Sequence, residues 1–181
     1  MNITIKERKF SFTAEYDIEV PGGRYYARKT YFSLTDKLKL QDESGRLLAR
    51  IRGFISPFRH RHEVYLADGR VYRFQCEKIW RRVFTCEGNQ DFYRLYEHKG
   101  LQYSIFRNDR QVAAFKKNRV VFLKGNRYEL SMDHDADQVL ILCLVLTLSS
   151  SEQDDSEDST FTINFGNLLE EQPFDSSWQP R

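Results

Sequence analysis

Hydrophobic and polar residues alternate along most of this chain in short runs. Leu38-Lys39-Leu40, Leu47 to Ile51, Glu63-Val64-Tyr65-Leu66, Val71-Tyr72-Arg73-Phe74, Phe92 to Tyr96, Tyr103 to Phe106, Val112 to Phe115, Val120 to Leu123 and Tyr128 to Met132 all follow a period near two. Successive side chains of a strand point to opposite faces, so these runs predict strands with one buried and one solvated side. Turn signals separate them: Pro21-Gly22-Gly23, Asp42-Glu43-Ser44-Gly45, Ala67-Asp68-Gly69 and Lys124-Gly125-Asn126. About a dozen strands at this spacing predict a sandwich or a barrel.

An internal repeat narrows the choice. Phe10-Ser11-Phe12-Thr13 recurs 22 positions later as Phe32-Ser33-Leu34-Thr35. Gly23-Arg24 recurs as Gly45-Arg46, and Ala27-Arg28 as Ala49-Arg50. A weaker third copy has Phe54 in phase and Gly69-Arg70 two residues late. A unit that cannot bury its apolar face alone must stack on its neighbours, which predicts a wound β structure.

The period changes after Met132. Val139 to Leu146 reads Val-Leu-Ile-Leu-Cys-Leu-Val-Leu and has no polar face. Asp133, Asp135 and Asp137 precede it, and carboxylates at a helix N-terminus cap free amides and meet the positive end of the dipole. The pattern predicts a helix over 136–148, closed by Ser149-Ser150-Ser151. Such a helix is short for a bilayer, which needs roughly 20 residues. A helix apolar all round must be buried all round. In one β domain, the inside of a closed barrel allows that. The competing expectation is a short re-entrant or tilted membrane segment.

The stretches FSLTDKLKLQDESGRLLARIRG, HEVYLADGRVYRF and NRYELSMDHDADQVLILCLVLTLS together resemble the LURP-one-related proteins of bacteria and plants. That family belongs to the tubby-like superfamily, which also includes phospholipid scramblases. The resemblance covers about residues 1–150 and implies a closed antiparallel barrel of twelve strands around a central hydrophobic C-terminal helix. It leaves 151–181 outside, as an acidic tail expected to be disordered. Tubby proteins bind phosphoinositides through basic residues on adjacent strands. Scramblases carry a calcium-binding acidic segment near their helix, and its full pattern is absent here.

Charge divides the chain in the same place. The net charge is +2, but residues 149–181 hold eight acidic residues and one basic, a charge of −7. The body holds 27 Lys and Arg against 18 Asp and Glu, a charge of +9. A basic body suits an anionic partner, and the acidic tail either screens that charge or meets a protein partner. Met1 to Lys9 is polar and charged, so the expected location is cytoplasmic, with room for a peripheral membrane contact. Of three cysteines, Cys143 lies in the apolar run, and Cys76 and Cys86 are the pair that could bridge.

Candidate chemistry is thin. His60 and His62 are two apart in one basic stretch and share a face if extended, but no third ligand accompanies them. Asp133 to Asp137 starts like a calcium loop, without the central Gly and closing Glu such a loop needs. No nucleophile elbow, P-loop or GxGxxG motif is present. The expectations are no enzyme activity, no cofactor and no metal. Two basic clusters remain. One joins Arg50, Arg52, Arg59 and Arg61 with Arg81-Arg82 beside Trp80; the other joins Lys116, Lys117, Arg119, Lys124 and Arg127. From the first, Arg59, Arg61, Arg81 and Arg82 are the predicted anion site. The functional reading is a barrel that binds an anionic ligand such as a phospholipid head group, or a scaffold. The alternatives are a scramblase-like membrane protein and, less favoured, a nucleic-acid binder.

Overall fold

The structure, a computed structural model, describes residues 1–10, 12–30, 36–54, 61–78, 83–120, 125–154 and 172–181. Twelve strands form one closed antiparallel barrel. They are β1 (Asn2–Lys9), β2 (Thr13–Val20), β3 (Gly23–Thr30), β4 (Asp36–Asp42), β5 (Leu47–Phe54) and β6 (Arg61–Leu66). The second half comprises β7 (Val71–Lys78), β8 (Val83–Gly88), β9 (Asp91–His98), β10 (Gln102–Arg107), β11 (Arg110–Val120) and β12 (Gly125–Met132). Each strand pairs with its sequence neighbours, and β12 closes the ring on β1, with Ile3 opposite Leu130 and Ile5 opposite Tyr128. A closed ring leaves no open edge for another chain to pair with.

The 22-residue repeat is one up-and-down step of this meander. Each copy runs from a connection at one end of the barrel, along a strand, through a glycine turn and back. Gly22, Gly45 and Gly69 all adopt φ between 83° and 91°, the left-handed region that a side chain resists. Strand alternation sends Ile3, Ile5, Tyr16, Ile18, Leu38, Leu40, Ile51, Val64, Tyr72, Phe74 and Leu95 into the core.

Helix α1 (Gln138–Asp154) fills the barrel. Leu140 through Leu146 are all 0% exposed. A helix of 17 residues is about 25 Å long, close to the span of the eight-residue strands around it. Its start differs from the sequence expectation by two residues, because Asp137 is the cap: its Oδ1 accepts the Leu140 amide at 3.0 Å. Its end lies beyond the serines. Serine does not stop a helix whose surroundings satisfy its hydroxyl, and Ser149 Oγ meets the Tyr128 hydroxyl at 2.5 Å. No helix among the described residues is long and apolar enough to cross a membrane.

Inside the wall, near the end where α1 finishes, polar groups are buried and joined. Glu7 accepts hydrogen bonds from the Tyr16 hydroxyl at 3.1 Å, from the Asn126 side-chain amide and from the Tyr128 hydroxyl at 3.5 Å. Burial first, and then the Glu7 charge, push the Tyr16 hydroxyl well above its usual range. The network ties β1, β2 and β12 to the helix at the seam where the ring closes.

Candidate functional site

With α1 filling the interior, the outer surface is what this barrel presents to its surroundings. The two ends differ, and they are named here by the helix: its N-terminal end, where β12 hands over to α1, and its C-terminal end. At the N-terminal end the charges are matched. Arg70 contacts Asp137 at 2.7 Å and Asp68 at 2.6 Å, and Asp68 above all raises the Arg70 guanidinium pKa. Arg110 contacts Asp135 at 2.7 Å, and Arg107 lies 3.3 Å from the same carboxylate. The hydrogen bond from Arg110 holds the Asp135 carboxyl below the usual carboxylate range. Asp133 accepts the Arg181 backbone amide at 2.8 Å.

All three aspartates of the calcium-like stretch are thus engaged with arginine side chains or backbone amides. Among the described residues no group of three metal-ligating side chains assembles. His62 points into the barrel, 5% exposed, with its ring edge-on to Phe74 at 6.2 Å; His60 lies outside the described residues. None of the three cysteines is in a disulfide, and burial pushes the Cys86 and Cys143 thiols far up.

The outer wall of β3, β4 and β5 is different. The register sets Arg28 directly opposite Lys39, and Lys39 directly opposite Arg50. All three side chains are exposed. Directly opposed residues have Cβ atoms about 4.5–5.5 Å apart, and like charges at that spacing repel. On the adjoining wall opposite charges meet across the register, Lys6 with Glu19 at 2.8 Å and Arg8 with Asp17 at 2.7 Å. Arg28 also faces Glu15 on β2, so the row is bounded by an acid on one side. On the other side Arg50 faces Tyr65, and the Arg52 guanidinium lies 5.1 Å from the Tyr65 ring centroid. Tyr65 in turn donates to Glu63 at 2.6 Å. The wall therefore presents three stacked cations with an aromatic–cation pair beside them.

Of the four arginines predicted as an anion site, Arg61 is described. It is exposed, opens β6 at the C-terminal end and faces Gln75 and Phe54. Arg59, Arg81 and Arg82 lie outside the described residues. Arg59 is in the connection between β5 and β6, and Arg81 and Arg82 in that between β7 and β8, both of which join strands at that same end. The second basic cluster is split by alternation. Lys116 is exposed, whereas Lys117 follows Phe115 inward, 7% exposed, with its ammonium 6.0 Å from the Tyr128 ring centroid. Arg127 sits 3.5 Å from Glu129. Lys124 and the Arg119 side chain are outside the described residues.

A family model described as LURP-one-related matches residues 1–149. The chain belongs to the LURP-one-related family. The match ends at Ser149, the residue that α1 uses to hold Tyr128, so it takes in the barrel and its packed helix. No curated protein and no solved structure matches the chain.

Beyond the family match, this LURP-one-related barrel carries its own C-terminal segment. Phe174 packs on His98 with ring centroids 5.2 Å apart, near the C-terminal end of the helix. Arg181 then bonds through both backbone groups, to Asp133 and to the His134 amide, at the opposite end. Residues 172–181 therefore span the barrel's height, whereas the sequence led to the expectation of a disordered tail; 155–171 lie outside the described residues. His98 belongs to β9, five strands from β4 in a ring of twelve, so this segment leaves the cationic row uncovered. A shallow cleft of about 550 Å³ lined by Val71, Arg73, Glu87 and Asp91 also lies on the outer surface. Arg73 faces Glu87 across the register, so that cleft shows no preference for anions.

Proposed function

We propose that this LURP-one-related barrel is a non-enzymatic binder of anionic ligands, phosphate-bearing head groups foremost. The row Arg28–Lys39–Arg50 on the outer wall is the observation that carries this reading. Cations set in directly opposed positions concentrate positive charge on this wall, and an anion that bridges them offsets their mutual repulsion. Arginine grips a phosphate through two parallel N–H donors, and lysine adds a compact charge between two such forks. Arg52 and Arg61, both exposed, extend the basic surface toward the C-terminal end. Near a lipid surface each basic residue contributes about 1 kcal/mol, which salt weakens.

Inorganic tripolyphosphate tests the chemistry without a membrane. The parent protein is expected to bind it at low salt and release it as salt rises. Arg28→Gln/Lys39→Gln/Arg50→Gln is expected to lose that binding, and Arg59→Gln/Arg61→Gln/Arg81→Gln/Arg82→Gln to weaken it. Equal binding by parent and triple variant would remove the row from the site. No binding by the parent would leave the scaffold reading in its place.

A further inference from the structure

The cationic row has an aromatic neighbour on the same wall. Among the described residues the exposed large hydrophobic side chains are Phe10, Phe12, Tyr26, Val71 and Phe174. Of these, Tyr26 alone is an aromatic inside a strand, in the middle of β3, and it is 42% exposed. It stands two residues before Arg28, so the two share the outward face. Across the register Tyr26 lies opposite Gln41, and Gln41 opposite Leu47. These three form a second row beside Arg28–Lys39–Arg50, two residues away along β3 and β4. Two residues of strand span about 6.6–6.8 Å.

The two rows differ in chemistry. The Gln41 side-chain amide donates to the Gly45 carbonyl at 2.9 Å, which holds it toward the turn and away from the cations. Leu47 is apolar and half-buried. Asp17, opposite Tyr26 on β2, is held by Arg8 at 2.7 Å. Tyr65, on β6, is engaged already: the Arg52 guanidinium lies over its ring, and its hydroxyl donates to Glu63. Among the described residues neither a ring nor a guanidinium stacks on Tyr26. Its exposed ring beside phosphate-binding cations is the combination on which a heterocyclic base stacks.

We propose that Tyr26 and the row Arg28–Lys39–Arg50 form one site for a free nucleotide, with the base stacked on the Tyr26 ring and the phosphates across the cations. The separation of the two rows is comparable with the reach from a base to its 5′-phosphate group. The site is one nucleotide wide. Three adjacent strands place the outer cations about 9.4–9.8 Å apart. Carboxylates bound the row on both sides: Glu15 opposite Arg28, and Glu63 bonded to Tyr65 beyond Arg50. A nucleic-acid strand crossing this wall would bring its next phosphates onto those acids. A serine or choline head group has no flat face to offer the ring, so Tyr26 selects among the phosphates that the cations attract. This rests on the anion-binding reading above and adds to it the group that carries the phosphate.

Calorimetric titration of the full chain with ATP and with inorganic tripolyphosphate, without divalent cations, provides the test. Tripolyphosphate carries at least as much negative charge as ATP, so a preference for ATP comes from the nucleoside. The parent is expected to bind ATP about five- to tenfold more tightly than tripolyphosphate, the low end of what one stacked base contributes. Tyr26→Thr, which keeps a strand-forming side chain, is expected to lose that advantage while keeping tripolyphosphate affinity and a cooperative melt. Tyr26→Phe is expected to retain it. A folded Tyr26→Thr variant that binds ATP like the parent would overturn the base platform. A parent that binds tripolyphosphate at least as tightly as ATP would overturn it too, and both results leave the anion reading standing. An oligoadenylate bound about tenfold more tightly than ATP would overturn the one-nucleotide assignment. A parent that binds neither ATP nor tripolyphosphate would overturn the anion reading as well.

Discussion

Leu142 sits in the second turn of α1 with none of its side chain exposed. Leu142→Ala removes three heavy atoms from a site that a closed ring of strands cannot easily collapse onto. Buried Leu→Ala changes cost about 2–5 kcal/mol, and the upper half of that range applies where the surroundings cannot relax. For a body of this size, 1 kcal/mol moves the melting temperature by about 2–4 °C, so a drop of about 7–20 °C is expected. Leu142→Asp adds an unpaired carboxylate where neither water nor a cation can reach, which exceeds the usual total stability of about 5–15 kcal/mol or consumes most of it. The assay is a thermal melt followed by near-UV circular dichroism for the Ala variant and soluble yield for the Asp variant. A cooperative melt of soluble Leu142→Asp within a few degrees of the parent would refute the packed-helix account.

At the seam, Glu7→Ala leaves Tyr16, Asn126 and Tyr128 facing one another without their acceptor, and is expected to lower denaturant stability by about 2–4 kcal/mol. A loss under 0.5 kcal/mol would show that the network is not a clasp. Acid is expected to weaken the fold. Hydrogen bonds from Lys6, Ser44, Arg70 and Arg110 lower the folded-state pKa of Glu19, Asp42, Asp68 and Asp135 respectively. Groups depressed in this way contribute stability above their unfolded pKa of about 4, and lose it as pH falls through the lower folded values. The melting temperature should therefore be flat from pH 7 to about 5 and fall below about pH 4, less steeply in high salt; a rise on acidification would contradict the assigned pairs. With a thiol reagent the native protein is expected to react at Cys76 first, with buried Cys86 and Cys143 reacting only on unfolding. Simultaneous reaction of all three in the native state would contradict the buried placement.

Particular residues show how much could be read before the fold was known. The all-apolar run at Val139 to Leu146 demanded burial on every side, and the alternating runs supplied a wall to bury it in, so barrel and central helix were legible together. The helix limits were not, because capping by Asp137 rather than Asp133 or Asp135 depends on which aspartates Arg110 and Arg181 occupy. Those partners lie 25 and 48 residues away. The cationic row was half visible. Arg28 and Arg50 hold the same place in successive copies of the repeat, which puts them on the same side of the same kind of strand. Lys39 stands between them only once the register of β3, β4 and β5 is known, since a shift of one residue would turn it inward. Lys117 shows the converse: grouped with Lys116 by proximity in sequence, it turns inward because Phe115 does. Phe174 and Arg181 docked on the barrel through contacts that no periodicity announces.

We propose that the row Arg28–Lys39–Arg50 binds an anion, and its directly opposed like charges are expected to add nothing to stability. Arg28→Gln/Lys39→Gln/Arg50→Gln separates the two effects in one protein, by melting temperature and by vesicle binding measured side by side. Removing two directly opposed like-charge contacts is expected to leave the melting temperature unchanged or raise it, while binding to phosphatidylserine-containing vesicles falls sharply. A variant that binds like the parent, or that loses binding only because it melts well below the parent, would contradict the account.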